Sequence, residues 1–407
     1  MKKLLVATQY FYPENFRIND MCIEWAKRGY DVTVLTGIPN YPLGDIYDGY
    51  KREYKEEEWN GIHIIRLPVH ERGHNLFTLF LNCWTYVHYG KKWVDKVAKD
   101  NGGKFPFDSF FTFEVSPMTQ ALVGAYATKK YGVKSILYVQ DLWPENVIEI
   151  MCIKNPLVIK PIERMVKKIY RDTNVILASS ESFVKAIQEK IDDKSTIDKV
   201  KFWPQYAEDF YKPLPKNKPN DKFRICFTGN IGKTQGLEIL AETAKLIKND
   251  YTKKNREIDI EFVIVGDGRN KEEFISSIKR NDVEDMFILM GKKPAEEIPE
   301  ILSTCDVAFL SFANIDIFKM TIPAKLQSYM ACGMPILASA IGETKKKIED
   351  ARCGVCCEIG VANSLYKEIY YLNSNRKMLI EMGKNSLVYC NVNFNKENLM
   401  NYINSYL

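Results

Sequence analysis

The sequence predicts an α/β protein with two doubly wound domains, each built on a mostly parallel sheet with helices on both faces. Its 407 residues exceed what one ordinary core accommodates, which favours two domains. Short apolar runs typical of strands buried on both faces, starting with residues 4–8, alternate with segments of helical spacing, such as Ile18, Met21, Cys22 and Trp25. This alternation indicates parallel strands joined by helices.

A proline-rich segment interrupts the alternation. Residues 212–220 contain three prolines and neither a strand period nor a helix period, so we interpret them as a linker. The linker separates an N-terminal domain of residues 1–211 from a C-terminal domain of residues 221–389, in which the alternation restarts. Residues 390–407 are a candidate to pack back on the N-terminal domain.

Composition argues against several classes of function. The net charge of +5 is mild, and the chain has no long Lys/Arg block and no nucleic-acid-binding motif, so we predict no nucleic-acid partner. The ten cysteines are scattered, often in apolar runs as at Cys226 and Cys305, which suits a reducing compartment. We therefore predict a cytoplasmic protein, because the apolar stretch at residues 4–8 is also too short for a signal peptide.

A glycine-rich loop, Gly229-Asn230-Ile231-Gly232-Lys233, follows an apolar run and precedes a helical segment. Glycines let backbone N–H groups approach a phosphate closely, and a helix N-terminus favours negative charge. Lys233 adds a cation. We therefore predict a phosphate site here, with a tight strand–helix turn as the alternative. A further glycine turn at residues 265–268 is interpreted as packing.

A second helix start carries a similar signal. Pro323 suits the first turn of a helix, and the backbone amides of residues 320–322 are expected to point out of its N-terminus. Lys325 lies in that first turn, where the helix dipole disfavours a cation, and a bound diphosphate would remove the conflict. A solvated Lys325 is the alternative.

Other ligand-binding patterns are absent from the sequence. No Gly-x-Gly-x-x-Gly follows the first apolar run, and no P-loop occurs, which argues against a dinucleotide-dependent dehydrogenase and a P-loop enzyme. The cluster of Cys353, Cys356 and Cys357 has no histidine nearby, so we also predict no bound metal.

Polar residues follow apolar runs in the N-terminal half as well. Asp141 and Glu145 come just after residues 136–139, at the strand end where ligands of open α/β sheets bind, so we predict that they orient substrate hydroxyls or assist a proton transfer. A helix cap by Asp141 is the alternative. Glu114 occupies a similar position. Arg17, at a helix start, is either an anion contact or a solvated side chain.

Residues 72–93 mix aromatic side chains with basic ends, Arg72 and His74 at one side and Lys91 and Lys92 at the other. Such a segment could dock on an anionic bilayer surface, and a core helix with a basic tail is the alternative. Its apolar part is too short to span a bilayer.

Separated motifs carry a resemblance to a known family. They are Tyr10-Phe11-Tyr12-Pro13-Glu14, Asn40-Tyr41-Pro42-Leu43-Gly44, Asp141-Leu142-Trp143-Pro144-Glu145, Trp203-Pro204-Gln205-Tyr206-Ala207-Glu208, Gly229-Asn230-Ile231-Gly232, Val265-Gly266-Asp267-Gly268 and Ile322-Pro323-Ala324-Lys325. Together they resemble the family 4 retaining glycosyltransferases, which have the GT-B fold of two doubly wound domains facing a cleft. The resemblance covers nearly the whole chain and is closest to the bacterial O-antigen, capsule and colanic-acid subgroup that includes the L-fucosamine transferases.

The resemblance implies a nucleotide-sugar donor, UDP-linked, held mainly by the C-terminal domain, and a lipid-linked or oligosaccharide acceptor held by the N-terminal domain. It implies retention of anomeric configuration and neither a catalytic metal nor another cofactor. An N-acetylated deoxysugar is a candidate for the transferred group. By position, the implied donor contacts are Gly229, Asn230, Gly232, Lys233 and Lys325 for the diphosphate, Lys293 for the base, and Thr321 and Ile322 for sugar and phosphate through main-chain amides.

Two departures from the family pattern concern the donor. Many members carry two glutamates eight residues apart where this chain has Met320 and Ser328, and Ser328 is kept as the candidate contact at the ribose position. Many members also carry Arg and Lys in the phosphate loop, where this chain has Asn230 and Gln235, and Lys233 is a candidate to compensate.

No histidine stands at the usual N-domain position, which holds Gln140 and Asp141. In the retaining route expected from the resemblance, the leaving phosphate itself takes the acceptor proton, so Asp141 would orient rather than abstract. Two other functions stay open: a nucleotide-sugar 2-epimerase of the same architecture, and a non-catalytic nucleotide-binding homologue, which Met320 and Ser328 make conceivable.

Overall fold

The computed structural model describes residues 1–42, 44–73 and 75–407. Leu43, in one motif of the resemblance, and His74, in the aromatic–basic segment, lie outside the described residues. The chain forms two compact units, one of residues 1–203 with 401–407 and one of residues 204–400. We call them unit 1 and unit 2.

Unit 1 contains an eight-stranded sheet in the order β3-β4-β2-β1-β5-β6-β7-β8. The β3–β4 pair is antiparallel and the other pairs are parallel. The strands are β1 Lys3–Ala7, β2 Asp31–Thr36, β3 Lys55–Trp59, β4 Ile62–Arg66, β5 Ser109–Glu114, β6 Lys134–Val139, β7 Val175–Ala178 and β8 Val200–Phe202. Its central strands are buried along nearly their whole length, as continuous apolar runs require.

Six helices connect the strands of unit 1: α1 Arg17–Lys27, α2 Leu76–Asp100, α3 Ala121–Tyr131, α4 Glu145–Glu149, α5 Pro156–Asp172 and α6 Glu181–Lys190. The apolar positions of α1 form its buried face, where Trp25 packs edge-on against Phe111 with ring centroids 5.0 Å apart. Gly90 of α2 lies against Val123 of α3, because a Cβ on Gly90 would stand 2.9 Å from the valine side chain. The glycine therefore lets these two helices approach closely.

Unit 2 contains a six-stranded sheet in which all pairs are parallel, in the order β11-β10-β9-β12-β13-β14. The strands are β9 Phe223–Thr228, β10 Ile260–Val265, β11 Phe287–Gly291, β12 Val307–Ser311, β13 Ile336–Ser339 and β14 Gly354–Cys357. The helices are α7 Glu238–Lys253, α8 Lys271–Arg280, α9 Ile298–Ser303, α10 Ala324–Ala331, α11 Gly342–Ala351, α12 Ala362–Ser374 and α13 Arg376–Asn393, and α14 Lys396–Asn404 begins in this unit. The prediction of two α/β parts with parallel sheets is confirmed.

The segment predicted as a linker belongs to unit 2. Residues 212–220 form neither helix nor strand, as their prolines dictate, but they are held to the unit by side chains. Lys216 Nζ donates to the carbonyl of Cys305 at 2.5 Å, and Lys218 pairs with Asp306 at 2.8 Å. The unit boundary consequently lies at residues 203 and 204, before the expected position at 211.

The C-terminal segment divides between the units. Residues 390–400 belong to unit 2, and only residues 401–407 belong to unit 1, so the expected range of 390–407 was too long. The last residues are fixed by polar contacts: Trp25 Nε1 donates to Asn404 at 3.1 Å and Arg28 donates to Asn401 at 2.6 Å.

Candidate functional site

Three loops meet at the carboxyl edge of the sheet in unit 2, where open α/β sheets bind their ligands. They follow β9, β10 and β11. The amide of Gly229 donates to the carbonyl of Val265 at 2.8 Å, the amide of Ile231 donates to Asp267 at 2.8 Å, and the amide of Gly266 donates to Gly291 at 2.8 Å. Main-chain bonds thus join the predicted phosphate loop to its neighbours.

The glycines of the turn after β10 have a packing role. Gly266 has a φ of +148°, and a Cβ added to it would stand 1.8 Å from the carbonyl oxygen of Gly229. At Gly268 an added Cβ would stand 2.4 Å from the carbonyl oxygen of Ile231. These backbone approaches exclude any side chain. The interpretation of residues 265–268 as packing fits this geometry.

Lys325 lies across the phosphate loop. It stands in the first turn of α10, and a Cβ added to Gly229 would be 2.4 Å from its Cε. Its Nζ is 5.0 Å from the ring centroid of Phe227. Among the described residues no carboxylate forms an ion pair with Lys325, and burial lowers the pKa of its ammonium to about 8. The structure therefore places a desolvated cation against Gly229.

The other two predicted lysines are exposed. Lys233 belongs to a 3-10 turn, Lys233–Gln235, and no carboxylate in the described part of the chain forms an ion pair with it. Lys293 follows β11 and its Nζ is 3.9 Å from Glu297. Asn230 is also exposed, next to Gly232. Solvent-facing cations of this kind are available to a ligand but are not arranged by the fold.

The backbone amides of residues 320–322, in the loop before α10, were expected to point out of the N-terminus of the helix. The amide of Met320 donates to Ile317 at 3.1 Å, and that of Thr321 donates to Phe318 at 3.4 Å, so both close a 3-10 turn. The expectation that the amides of 320–322 all point outward was therefore wrong for these two. The Ile322 side chain is buried.

Ser328 and Thr321 use their hydroxyls within the helix and turn. Ser328 Oγ donates to Ala324 at 3.2 Å, and Thr321 Oγ1 donates to Ile317 at 3.0 Å. Both are short-range bonds of the kind that Ser and Thr make to a carbonyl four residues earlier. Their roles toward a donor stay predictions.

Sequence reasoning missed Tyr329, which supports the phosphate loop at the end of β9. The amide of Thr228, the last residue of β9, donates to the hydroxyl of Tyr329 at 2.9 Å, and the tyrosine is fully buried. Tyr329 stands one helical turn after Lys325 on α10, so both side chains reach the same loop. The sequence shows this spacing, but only the position of α10 beside β9 reveals that both side chains contact the loop.

In unit 1, Asp141 is held at the carboxyl edge of the sheet. Its Oδ2 accepts from the amide of Ser116 at 2.7 Å, and its own amide donates to Glu114 Oε2 at 3.4 Å. Glu114 is completely buried, and burial, followed by the nearby charge of Asp141, raises the pKa of Glu114 well above its usual range. A carboxyl whose raised pKa favours the protonated form thus stands beside the half-buried Asp141.

Glu145 and Arg17 have partners of their own. Glu145 pairs with Lys190 of α6 at 2.5 Å, which commits one carboxylate oxygen to a structural contact. Arg17 is the first residue of α1, and its charge acts on the buried hydroxyl of Tyr138, whose pKa burial raises.

Sequence reasoning did not identify Glu14 as a buried carboxyl group. Glu14 is 2% exposed and accepts from the amides of Phe11 at 3.1 Å, Asn40 at 2.8 Å and Tyr41 at 2.6 Å, which joins the loops that follow β1 and β2. Burial nevertheless raises the pKa of Glu14 to about 7, although the amide bonds oppose the shift. Its only sequence signal was its place in a motif of the resemblance.

Within residues 1–42, 44–73 and 75–407 no three His, Cys, Asp or Glu side chains are grouped as metal ligands would be. The same described residues include no helix that is both long enough and apolar enough to cross a membrane. Metal independence stays a prediction.

Comparison with known proteins gives matches in sequence and in structure. Residues 212–387 match the family described as glycosyl transferases group 1. A curated relative, "Probable glycosyltransferase WbjE" of Pseudomonas aeruginosa, is 26% identical over 219 residues, which is 51% of this chain and 51% of that protein. The chain therefore spans about half the length of this relative.

Solved structures match the whole chain. WaaG, described as a glycosyltransferase involved in lipopolysaccharide biosynthesis, has a TM-score of 0.68 at 13% identity and covers 99% of each chain. HepE of Anabaena, in complex with UDP, has a TM-score of 0.66 at 14% identity and covers 100% of this chain and 99% of that one. At these identities the matches bear on the fold, and the predicted GT-B fold is confirmed.

Proposed function

We propose that this protein is a glycosyltransferase that takes a sugar from a nucleotide diphosphate donor. The observation that carries the proposal is the ammonium of Lys325, which burial desolvates and which lies against Gly229 without a carboxylate partner among the described residues. A desolvated cation beside glycine amides at the carboxyl edge of a parallel sheet is suited to a phosphate group. The group 1 family match over residues 212–387 supports the same reading.

The donor diphosphate is proposed to bind over the loop of Gly229, Asn230 and Gly232. Lys325 would meet one phosphate from the helix side, and the exposed Lys233 would approach from the solvent side. As the glycosidic bond breaks, negative charge grows on the leaving diphosphate, and fixed cations and amides that already face it stabilise the transition state. A UDP donor is proposed because HepE, which shares the fold, is described in complex with UDP.

Retention of configuration and metal independence belong to the same proposal. The leaving phosphate would accept the proton of the attacking hydroxyl, so no strong protein base is needed. Asp141, fixed by the amide of Ser116, would orient the acceptor. Glu145, held by Lys190, would support this arrangement rather than carry a proton.

The acceptor proposed is a lipid-linked sugar or an oligosaccharide of surface polysaccharide synthesis, such as O-antigen or capsule, made in the cytoplasm. The description of WaaG, which names lipopolysaccharide biosynthesis, supports this class. The transferred sugar is proposed to be an N-acetylated deoxysugar, as the resemblance implies.

A screen of nucleoside diphosphates and nucleotide sugars by thermal shift tests the proposal, followed by assay of the best donor in EDTA. The expected result is a rise in Tm with one nucleotide, smaller at the same concentration in Lys325→Ala, and hydrolysis or transfer of the sugar. Conversion of the donor to an epimer without acceptor would identify an epimerase instead. Nucleotide binding without any turnover would identify a non-catalytic homologue.

A further inference from the structure

One backbone amide in the loop before α10 is left over when the 3-10 turn closes. The amides of Met320 and Thr321 donate within that turn, whereas the amide of Ile322 makes no hydrogen bond in the described part of the chain. Pro323, the next residue, has no N–H to offer. Ile322 is a buried residue, and buried backbone donors are nearly always paired. The amide of Ile322 is therefore a donor that the loop keeps for a ligand.

The carbonyl of the same peptide group is held from α11. Thr344 Oγ1 donates to the carbonyl oxygen of Thr321 at 2.7 Å, and the Thr344 side chain is completely buried. The carbonyl of Thr321 and the amide of Ile322 belong to one trans peptide group, whose C=O and N–H lie in a plane and point in opposite directions. By fixing the carbonyl, the hydroxyl of Thr344 thus aims the N–H of Ile322 away from α11.

A second contact with α11 holds the loop at Lys319. Gly342, the first residue of α11, has a φ of +64°, and a Cβ added to it would stand 1.9 Å from the carbonyl oxygen of Lys319. Only glycine permits this approach. Gly342 and Thr344 therefore seat residues 319–321 on the first turn of α11. The position of the loop before α10 consequently depends on a helix that follows it in the chain.

The amide of Ile322 belongs to the same segment as the proposed phosphate contact. Ile322 stands two residues before Ala324, where α10 begins, and Lys325 lies in the first turn of that helix. The amino-terminal end of a helix and a lysine ammonium both favour an anion. A phosphate oxygen that meets Lys325 is therefore the acceptor best suited to the amide of Ile322.

We propose that Thr344 is a positioning residue for sugar transfer, which aims the amide of Ile322 at the leaving phosphate through the carbonyl of Thr321. This role rests on the proposed function and deepens it, because Thr344 lies outside every motif of the resemblance. A hydrogen bond to the carbonyl also polarises the N–H of the same peptide group. Since charge grows on the leaving phosphate, an amide aimed in advance stabilises the transition state more than the bound donor.

The test compares two substitutions of Thr344 by UDP release from UDP-N-acetyl-L-fucosamine and by calorimetry with UDP. Thr344→Val removes the hydroxyl at nearly constant volume, so kcat should fall about tenfold while the Kd of UDP changes by less than about threefold. Thr344→Ser keeps the hydroxyl and should restore most of kcat. The matched control is Thr243→Val, because Thr243 is also completely buried in unit 2 and donates to a carbonyl, that of Ala362, at 3.3 Å.

Binding stoichiometry separates positioning from folding. With kcat expressed per UDP-binding molecule, a general loss of structure lowers the stoichiometry and leaves kcat unchanged, whereas a misaimed amide lowers kcat itself. The role of Thr344 is overturned if Thr344→Val keeps the kcat of an active wild type, if Thr344→Ser is as slow as Thr344→Val, or if Thr243→Val loses as much. A wild type that neither binds UDP nor releases it from the donor would overturn the proposed function, and this role with it.

Discussion

Removal of the Lys325 side chain is the sharpest perturbation of the proposed donor site. Lys325→Ala deletes an ammonium that has no carboxylate partner in the described residues and whose pKa is lowered to about 8 by burial. A charge-assisted bond to phosphate contributes about 1.5–3 kcal/mol, so donor use should weaken by roughly ten- to a hundredfold. Because charge on the leaving group grows in the transition state, kcat should fall as well as donor affinity.

The lowered pKa of Lys325 gives a second signature. Above pH 8 the free protein holds this amine mostly neutral, whereas a bound diphosphate favours the charged form, so donor binding takes up a proton. The donor Kd is therefore expected to rise about tenfold per pH unit above pH 8 in the wild type. In Lys325→Ala this part of the pH dependence should be missing.

Steady-state kinetics and calorimetry across pH 7–9.5 measure both effects. Without ligand, the Tm of Lys325→Ala should stay constant or rise, because the variant removes a desolvated cation. Lys233→Ala should weaken donor use in the same direction, and Lys245→Ala, an exposed lysine of α7, is the matched control. Wild-type kinetics in both Lys325→Ala and Lys233→Ala, or plain unfolding of both, would refute the phosphate site.

Three other predictions concern metal dependence, the glycine turn after β10 and Glu14. Activity should survive EDTA, and loss of turnover that magnesium or manganese restores would contradict it. Gly266→Ala should lower Tm and donor binding together, because its Cβ would collide with the carbonyl of Gly229; normal calorimetric binding would contradict this, and Gly103→Ala, which meets no atom, controls for the glycine change. The pKa of Glu14 is about 7 in the folded protein and about 4.5 in the unfolded chain, so between these pH values the folded state binds a proton that the unfolded state has lost. The contribution of Glu14 to the free energy of unfolding should therefore fall by up to about 3 kcal/mol as the pH rises through this window. Denaturant unfolding should therefore show a steeper loss from pH 5 to 8 in the wild type than in Glu14→Gln, and parallel curves would exclude the effect.

The local pattern of the sequence predicted the elements well. Continuous apolar runs became β1, β9 and β10. The loop after β9 was predicted from its glycines, Lys233 and the helical segment that follows, and the structure shows close backbone approaches at this loop. Pro323 correctly predicted the start of α10. These features depend on neighbours in sequence, which periodicity and turn chemistry describe.

The remaining features depend on tertiary packing. Nothing near Lys325 in sequence shows that its stem crosses Gly229, and nothing near Thr321 shows that its amide closes a 3-10 turn. The unit boundary was misplaced because a proline-rich segment was equated with a free linker, whereas Lys216 and Lys218 tie it to unit 2.

The short helix α10 has a consequence for how related sequences can vary. Lys325 and Tyr329 stand one turn apart on it, and they reach Gly229 and Thr228, two successive residues of the chain. A side chain at 229 would displace the lysine, and loss of the tyrosine hydroxyl would free the amide beside it. The three positions 229, 325 and 329 should therefore covary among relatives, and paired substitutions should show coupling well beyond the sum of single effects.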